Sequence, residues 1–161
     1  MKKLIFIRHG KAEEQNADIS DFERSLTTKG KKELHRMGLM LHEKQPSIDL
    51  FVTSPAFRAI ETAFIIVGEF GVKHEDIKVL DNLYYRTNQS SLMKYLQFIE
   101  DEKTSIAIIG HNPSITNFAE WFSKDPIDFI PKSGIVCLSF CSKIWTSIRE
   151  DEGKLEYIIN P

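Results

Sequence analysis

Leu4-Ile5-Phe6-Ile7-Arg8-His9-Gly10 places four apolar, β-favouring residues directly before an arginine, a histidine and a glycine. An unbroken apolar run of this length suits a strand buried on both faces. The glycine lets the backbone turn sharply where the strand ends. Arg8 and His9 therefore fall at the carboxyl end of a central strand, where open α/β sheets bind their ligands. A cation beside a titratable nucleophile at that edge points to chemistry on an anion.

Outward from this strand, Lys11 to Arg24 is polar and acidic without a period, and reads as an exposed loop. Thr27 or Thr28 can cap a helix to about Lys44, with Leu34, Met37, Gly38 and Leu41 on its inner stripe. Asp49 to Thr53 reads as a second strand, and Ser54-Pro55 has the form of an N-cap with proline at the first helical position. Ile60, Ala63, Phe64 and Val67 follow at helical spacing until Gly71 stops that helix. Ile77 to Leu80 is a short third strand and Asp81 to Ser90 a loop. Leu92, Tyr95, Leu96 and Ile99 mark another helix. Ser105 to Ile109 is a fourth strand, as apolar as the first. It runs into Gly110-His111-Asn112-Pro113, where a cap residue and a proline open a helix to about Ser123. Ile115, Phe118, Ala119 and Phe122 lie on its inner face. After Gly134 the helices cease: Ile135 to Phe140 and Leu155 to Ile159 read as strands, with Ile144 to Ile148 a candidate for a third. Alternating strands and helices followed by strands predict a three-layer α/β/α sandwich, in which a mostly parallel central sheet carries an antiparallel margin. A single domain over residues 1–161 is expected.

The 161 residues are 42% hydrophobic and 27% charged, ordinary for a soluble globular protein, and the formal net charge of −2 argues against a nucleic-acid binder. No apolar run is long enough to span a membrane. Met1-Lys2-Lys3 resembles the start of a secretion signal, but the apolar run after it is far shorter than the roughly 7–15 residues such a signal needs. A cytoplasmic protein is expected. Cys137 and Cys141 share one strand, about 13 Å apart at roughly 3.3 Å per residue, too far for a disulfide. Their even spacing puts both on one face, as two core thiols.

The basic residues gather at three strand-to-helix junctions. Arg8 and His9 end the first strand, Arg58 follows the second, and His111 ends the fourth. Helical side chains lean toward the N-terminus, so Arg58 can reach back over the strand ends. His111 stands beside a helix N-terminus, which also favours an anion. Two guanidiniums and two imidazoles around one point form a phosphate pocket. Neutral His9 would attack phosphorus with one ring nitrogen while the other is held by an acceptor, and Arg8, Arg58 and His111 would hold the phosphoryl oxygens. No metal or other cofactor is required by this set. His35, His42 and His74 read as surface residues, Trp121 and Phe122 as core, and Glu150-Asp151-Glu152 as a solvated turn. Lys11 and Arg24 stand where they could rim the site, although an exposed loop accounts for them equally.

Four blocks carry a family resemblance. Arg8-His9-Gly10 resembles the signature of the histidine phosphatase (phosphoglycerate mutase-like) superfamily. Ser54-Pro55-Ala56-Phe57-Arg58-Ala59 with Thr62-Ala63 resembles its SP-x-x-RA-x-x-TA block, and Gly110-His111-Asn112-Pro113 its second-histidine block. Glu23 to Gly30 is similar to the ER-P-LT-x-x-G segment of the small SixA-type phosphohistidine phosphatases, with Ser25 where proline is usual. The resemblance continues to Ser133-Gly134. It implies His9 as nucleophile, Arg8, Arg58 and His111 as phosphate ligands, and inorganic phosphate as a product.

One departure bears on the substrate. Many members place a glutamate just after the third strand as general acid, and that register falls here on Asn82, beside Asp81. Losing the acid penalises alkoxide leaving groups most, whereas an N–P bond needs less protonation. The short chain also lacks room for lid insertions around a small sugar phosphate. Phosphohistidine in another protein is therefore the expected substrate. A phosphatase for small phosphoesters with Asp81 as acid is one alternative, and a catalytically silent phosphate-binding module is another.

Overall fold

In the computed structural model, which describes residues 1–85 and 88–161, the apolar run forms β1 (Lys2–Arg8). Successive side chains alternate across the sheet. Leu4 and Phe6 enter one core and Ile5 and Ile7 the other, all fully buried. β1 pairs in parallel with β4 (Ser105–Gly110), β4 with β2 (Leu50–Thr53), and β2 with β3 (Lys78–Val79). On the other side, β5 (Ile135–Phe140) lies antiparallel to β1, and β6 (Lys154–Ile159) antiparallel to β5. The order β3-β2-β4-β1-β5-β6 is the expected mostly parallel sheet with an antiparallel margin.

α1 (Thr28–Lys44) and α2 (Phe57–Glu69) cover one face. α4 (Gln89–Leu96) and α5 (Ser114–Phe122) cover the other, helped by Leu83 of the single turn α3 (Asn82–Tyr85). The hydroxyl of Thr27 accepts from the Gly30 amide at 3.0 Å and caps α1, whose Leu34, Met37, Gly38 and Leu41 are buried as their spacing predicts. Two glycines let this helix crowd the turn that leaves β1. A Cβ on Gly10 would strike Leu34, and one on Gly30 would fall on the Lys11 carbonyl.

Several local expectations are corrected. Residues 144–148 form no strand. The backbone N–H of Trp145 donates to Asp101 and its indole N–H to the Lys103 carbonyl, which anchors a 3-10 turn over Trp145–Ser147. Trp145 and Ile148 are buried three residues apart, whereas Ile144 is exposed. Cys141 is exposed because β5 ends at Phe140 and its alternation does not continue; Cys137 is a core thiol as expected. α2 begins at Phe57 with Ala56 as N-cap, so Ser54-Pro55 form the turn before it and Arg58 is its second residue. Its buried stripe runs through Ala59, Thr62, Ala63, Ile66 and Val67, and Phe64 faces outward against the His74 ring. Pro113 stands at the N-cap of α5, which begins at Ser114, one residue later than expected. Trp121 is only half-buried, and so is His42, which packs on Phe70. Within the loop expected over 81–90 lies α3, and residues 86 and 87 fall outside the described residues.

Candidate active site

The carboxyl ends of β1, β2 and β4 lie side by side, so the turns that follow them share one edge of the sheet. Backbone bonds fix those turns. The His9 amide donates to the Gly110 carbonyl at 3.0 Å, and the Ser54 amide to the Ile109 carbonyl at 3.0 Å. The Gly10 amide donates to the Thr62 hydroxyl of α2 at 3.1 Å, tying the turn to the helix that carries Arg58. Arg8, His9, Arg58 and His111 all come to this edge, as their places in the sequence predict.

His9 and Arg58 are almost wholly buried. His9 Nδ1 lies 2.8 Å from the carbonyl oxygen of Gly10, a pure acceptor, so this nitrogen carries the proton. Nε2 is then left with its lone pair, which accepts from Arg58 Nε at 3.3 Å. The His111 ring lies 4.9 Å from His9, centroid to centroid, and its Nε2 is 2.8 Å from the Ser54 hydroxyl. Arg8 sends one guanidinium nitrogen to the Ile130 carbonyl at 3.0 Å. Arg8 Nε and His111 Nδ1 are buried with no partner among the described residues. Buried polar nitrogens of this kind are rare, because each has lost its water. A phosphoryl group brings oxygens enough to satisfy them.

Burial first, and then the neighbouring His111, lowers the His9 pKa to about 3, with both arginines adding to the effect and the Gly10 carbonyl opposing it. Burial and then the Arg58 charge lower His111 to about 4, opposed by Asp21. Both rings are therefore neutral at pH 7. An unfolded histidine titrates near 6.5. Below that pH the unfolded chain takes up protons that the folded chain refuses, so stability is lost as pH falls from about 6.5 toward 4, by about 1.4 kcal/mol per pH unit for each ring. Urea unfolding at pH 7, 6 and 5 should show a shallower pH dependence in His111→Gln than in the wild type. Equal slopes would show that His111 is not held neutral.

Sequence reasoning missed three residues here. Asp21, in the segment expected to be an exposed loop, sits on a 3-10 turn (Asp21–Glu23) and turns its carboxylate to the site. One oxygen accepts from Arg58 Nη2 at 2.9 Å and from the Tyr84 hydroxyl at 2.8 Å; the other accepts from Arg24 Nε at 3.0 Å. Burial would raise the Asp21 pKa, but hydrogen bonds from Arg24, Tyr84 and Arg58 outweigh it and hold the group well below the usual carboxylate range. Arg24 thus reaches the site at one remove, through Asp21. Tyr84 also sets its ring edge-on to His111 at 5.5 Å. Ser54 is the third, through its contact with His111. Arg24 three residues after Asp21 was the one local signal, since such a pair can meet across a helical turn. Asp81 and Asn82 are both exposed, and Asn82 lines a small cavity with Leu83, Leu92 and Tyr95. Among the described residues, no group of three or more His, Cys, Asp or Glu is placed to hold a metal ion.

Residues 4–94, more than half the chain, match the family model of the histidine phosphatase superfamily (branch 1). The chain belongs to that superfamily. Its fold is similar to the SixA structure from Nakamurella multipartitia, with a TM-score of 0.82 and 19% identity over 99% of this chain and 96% of that one. It is likewise similar to a protein histidine phosphatase SixA complexed with tungstate (TM-score 0.80, 24% identity, 99% and 97% covered). A mycobacterial glucosyl-3-phosphoglycerate phosphatase shares the fold at a TM-score of 0.66 and 14% identity, with 96% and 97% covered. An uncharacterized protein of Mycobacterium leprae is 30% identical over 63% of this chain, a match that spans 59% of the relative's length. Membership and fold both support phosphatase chemistry. No helix among the described residues is long and apolar enough to cross a membrane.

Proposed function

We propose that the protein is a metal-independent, cytoplasmic phosphatase that works through a covalent phosphohistidine on His9 and removes phosphate from phosphohistidine in a protein. The observation that carries the reading is the His9 Nε2 lone pair, fixed by the Nδ1–Gly10 hydrogen bond and facing Arg58 within the Arg8–His111 cluster. In the first step Nε2 bonds to phosphorus, the bond from phosphorus to the substrate nitrogen breaks, and its electron pair leaves with that nitrogen. Arg58 Nε moves its hydrogen bond from Nε2 to a phosphoryl oxygen, while Arg8 and His111 donate to the others. Water then attacks phosphorus, His9 regains its lone pair, and inorganic phosphate leaves. Positioning and electrostatics supply most of the catalysis.

The substrate assignment rests on the leaving group. Asp81 and Asn82 are exposed whereas His9 and Arg58 are buried, which supports a site suited to a bond that breaks with little protonation. The SixA likeness points the same way. The glucosyl-3-phosphoglycerate phosphatase shares the fold, so substrate must be decided by assay. A panel of a phosphohistidine protein, a sugar phosphate and an aryl phosphate should give kcat/KM highest for phosphohistidine and lowest for the sugar phosphate. A sugar phosphate in first place would transfer the reading to small phosphoesters. Vanadate and inorganic phosphate should inhibit competitively, and chelators should leave the rate unchanged. An absolute requirement for a divalent ion would refute the mechanism.

A further inference from the structure

Beside the candidate active site lies a cleft of about 500 Å³ that shares one wall with it. The shared wall is Arg8. Lys11 from the turn after β1, Lys29 from the first turn of α1, and Lys132 with Phe129 from the segment before β5 complete its basic and aromatic lining. All three lysines are exposed, and among the described residues none of them forms an ion pair. Glu33 also lines the cleft, but one of its oxygens already accepts from the Ser133 hydroxyl at 2.6 Å. Among the charged side chains of the lining, four cations face the single carboxylate of Glu33. The chain as a whole carries a net charge of −2, so this positive cleft runs against its overall balance.

Phe129 adds an apolar anchor. It is 67% exposed, and the Arg8 guanidinium lies 4.9 Å from its ring centre. Exposed aromatic rings and arginines are enriched where proteins meet. Three uncommitted ammonium groups around such a ring fit carboxylates on a polypeptide, and charge complementarity of this kind mainly sets selectivity and association rate.

We propose that the cleft bounded by Lys29, Lys132 and Phe129 docks an acidic segment of a phosphorylated protein, and so selects phosphohistidines flanked by Asp and Glu. The proposal deepens the phosphohistidine reading and rests on it for the choice of substrate. A docked flank is within reach, because an extended chain covers roughly 3.3 Å per residue and Arg8 both lines the cleft and belongs to the candidate active site. Carboxylates held there would leave the phosphoryl group to Arg8, Arg58 and His111.

The test uses two phosphohistidine peptides that differ only in flanking residues, Glu in one and Ala in the other, with p-nitrophenyl phosphate and 3-phosphoglycerate as small substrates. The wild type should turn over the acidic peptide with kcat/KM at least about tenfold above the neutral one, an advantage that shrinks as salt screens the charges. K29E/K132E should erase that advantage while p-nitrophenyl phosphate turnover stays within about twofold, and K29A/K132A should fall between. Equal kcat/KM for the two peptides would overturn the proposal. So would an equal loss for 3-phosphoglycerate in K29E/K132E, which would give the cleft to the carboxylate of a small substrate. Binding of the unphosphorylated acidic peptide, measured by fluorescence anisotropy, separates docking from chemistry. Weaker binding to K29E/K132E than to wild type supports the cleft even if phosphohistidine is not hydrolysed; equal binding to both ends it.

Discussion

His9→Ala should lose turnover by on the order of 10⁴-fold or more, because the covalent step disappears with the nucleophile. The fold should survive. His9 lies at the end of β1, its backbone bonds to Gly110 and Ser133 do not involve the ring, and the lost ring is neutral at pH 7. Circular dichroism and a melting curve check that point. Rapid quench with ³²P-labelled substrate should trap an acid-labile, base-stable phosphoenzyme on the wild type and none on the variant. His9→Gln is the second probe, since its amide partly refills the space and leaves Arg58 Nε an acceptor. Activity at wild-type level in either variant would end the nucleophile assignment. A wild type that binds phosphate yet neither turns over nor traps label would restore the silent binding module.

The reading of His9 was available from the sequence because it depends on local facts. Four apolar residues make a doubly buried strand, and a strand that ends in Arg-His-Gly delivers those groups to the sheet edge whatever surrounds it. Arg58 and His111 are legible for the same reason, each following an apolar run at a strand-to-helix junction. Asp21 is not. It reaches Arg58 only because the segment after β1 folds back across α2, and no period within Lys11–Arg24 encodes that approach. Apolar Ile60 and Phe64 suggest the wrong phase for α2, because the helix instead buries Thr62, whose hydroxyl accepts from the Gly10 amide. Trp145 shows the same limit: its indole finds the Lys103 carbonyl across more than forty residues of chain, and that bond decides between turn and strand. Cys141 failed for a simpler reason, a strand end one residue before it.

The second large effect concerns the leaving group. A plot of log rate against leaving-group pKa should fall steeply for the wild type, with alkyl phosphates about 10²- to 10⁴-fold below aryl phosphates, the range a positioned general acid normally supplies. The Tyr84 hydroxyl, bonded to Asp21 beside the cluster, invites assignment as that acid, yet its surroundings argue against it. Burial first, and then the hydrogen bond to the Asp21 carboxylate, raises its pKa. A tyrosinate formed there would face Asp21 at 2.8 Å. Tyr84 instead helps hold Asp21, and through it Arg58. Tyr84→Phe should therefore lower every rate by a similar factor and leave the slope alone, which an acid could not do. Asp81→Asn, in an exposed side chain, should move neither slope nor intercept. If the wild-type line is flat and Asp81→Asn steepens it, Asp81 is the acid and small phosphoesters become the better substrate class. If Tyr84→Phe alone steepens it, Tyr84 supplies the proton in spite of Asp21, and proton supply no longer argues for an N–P bond over a sugar phosphate.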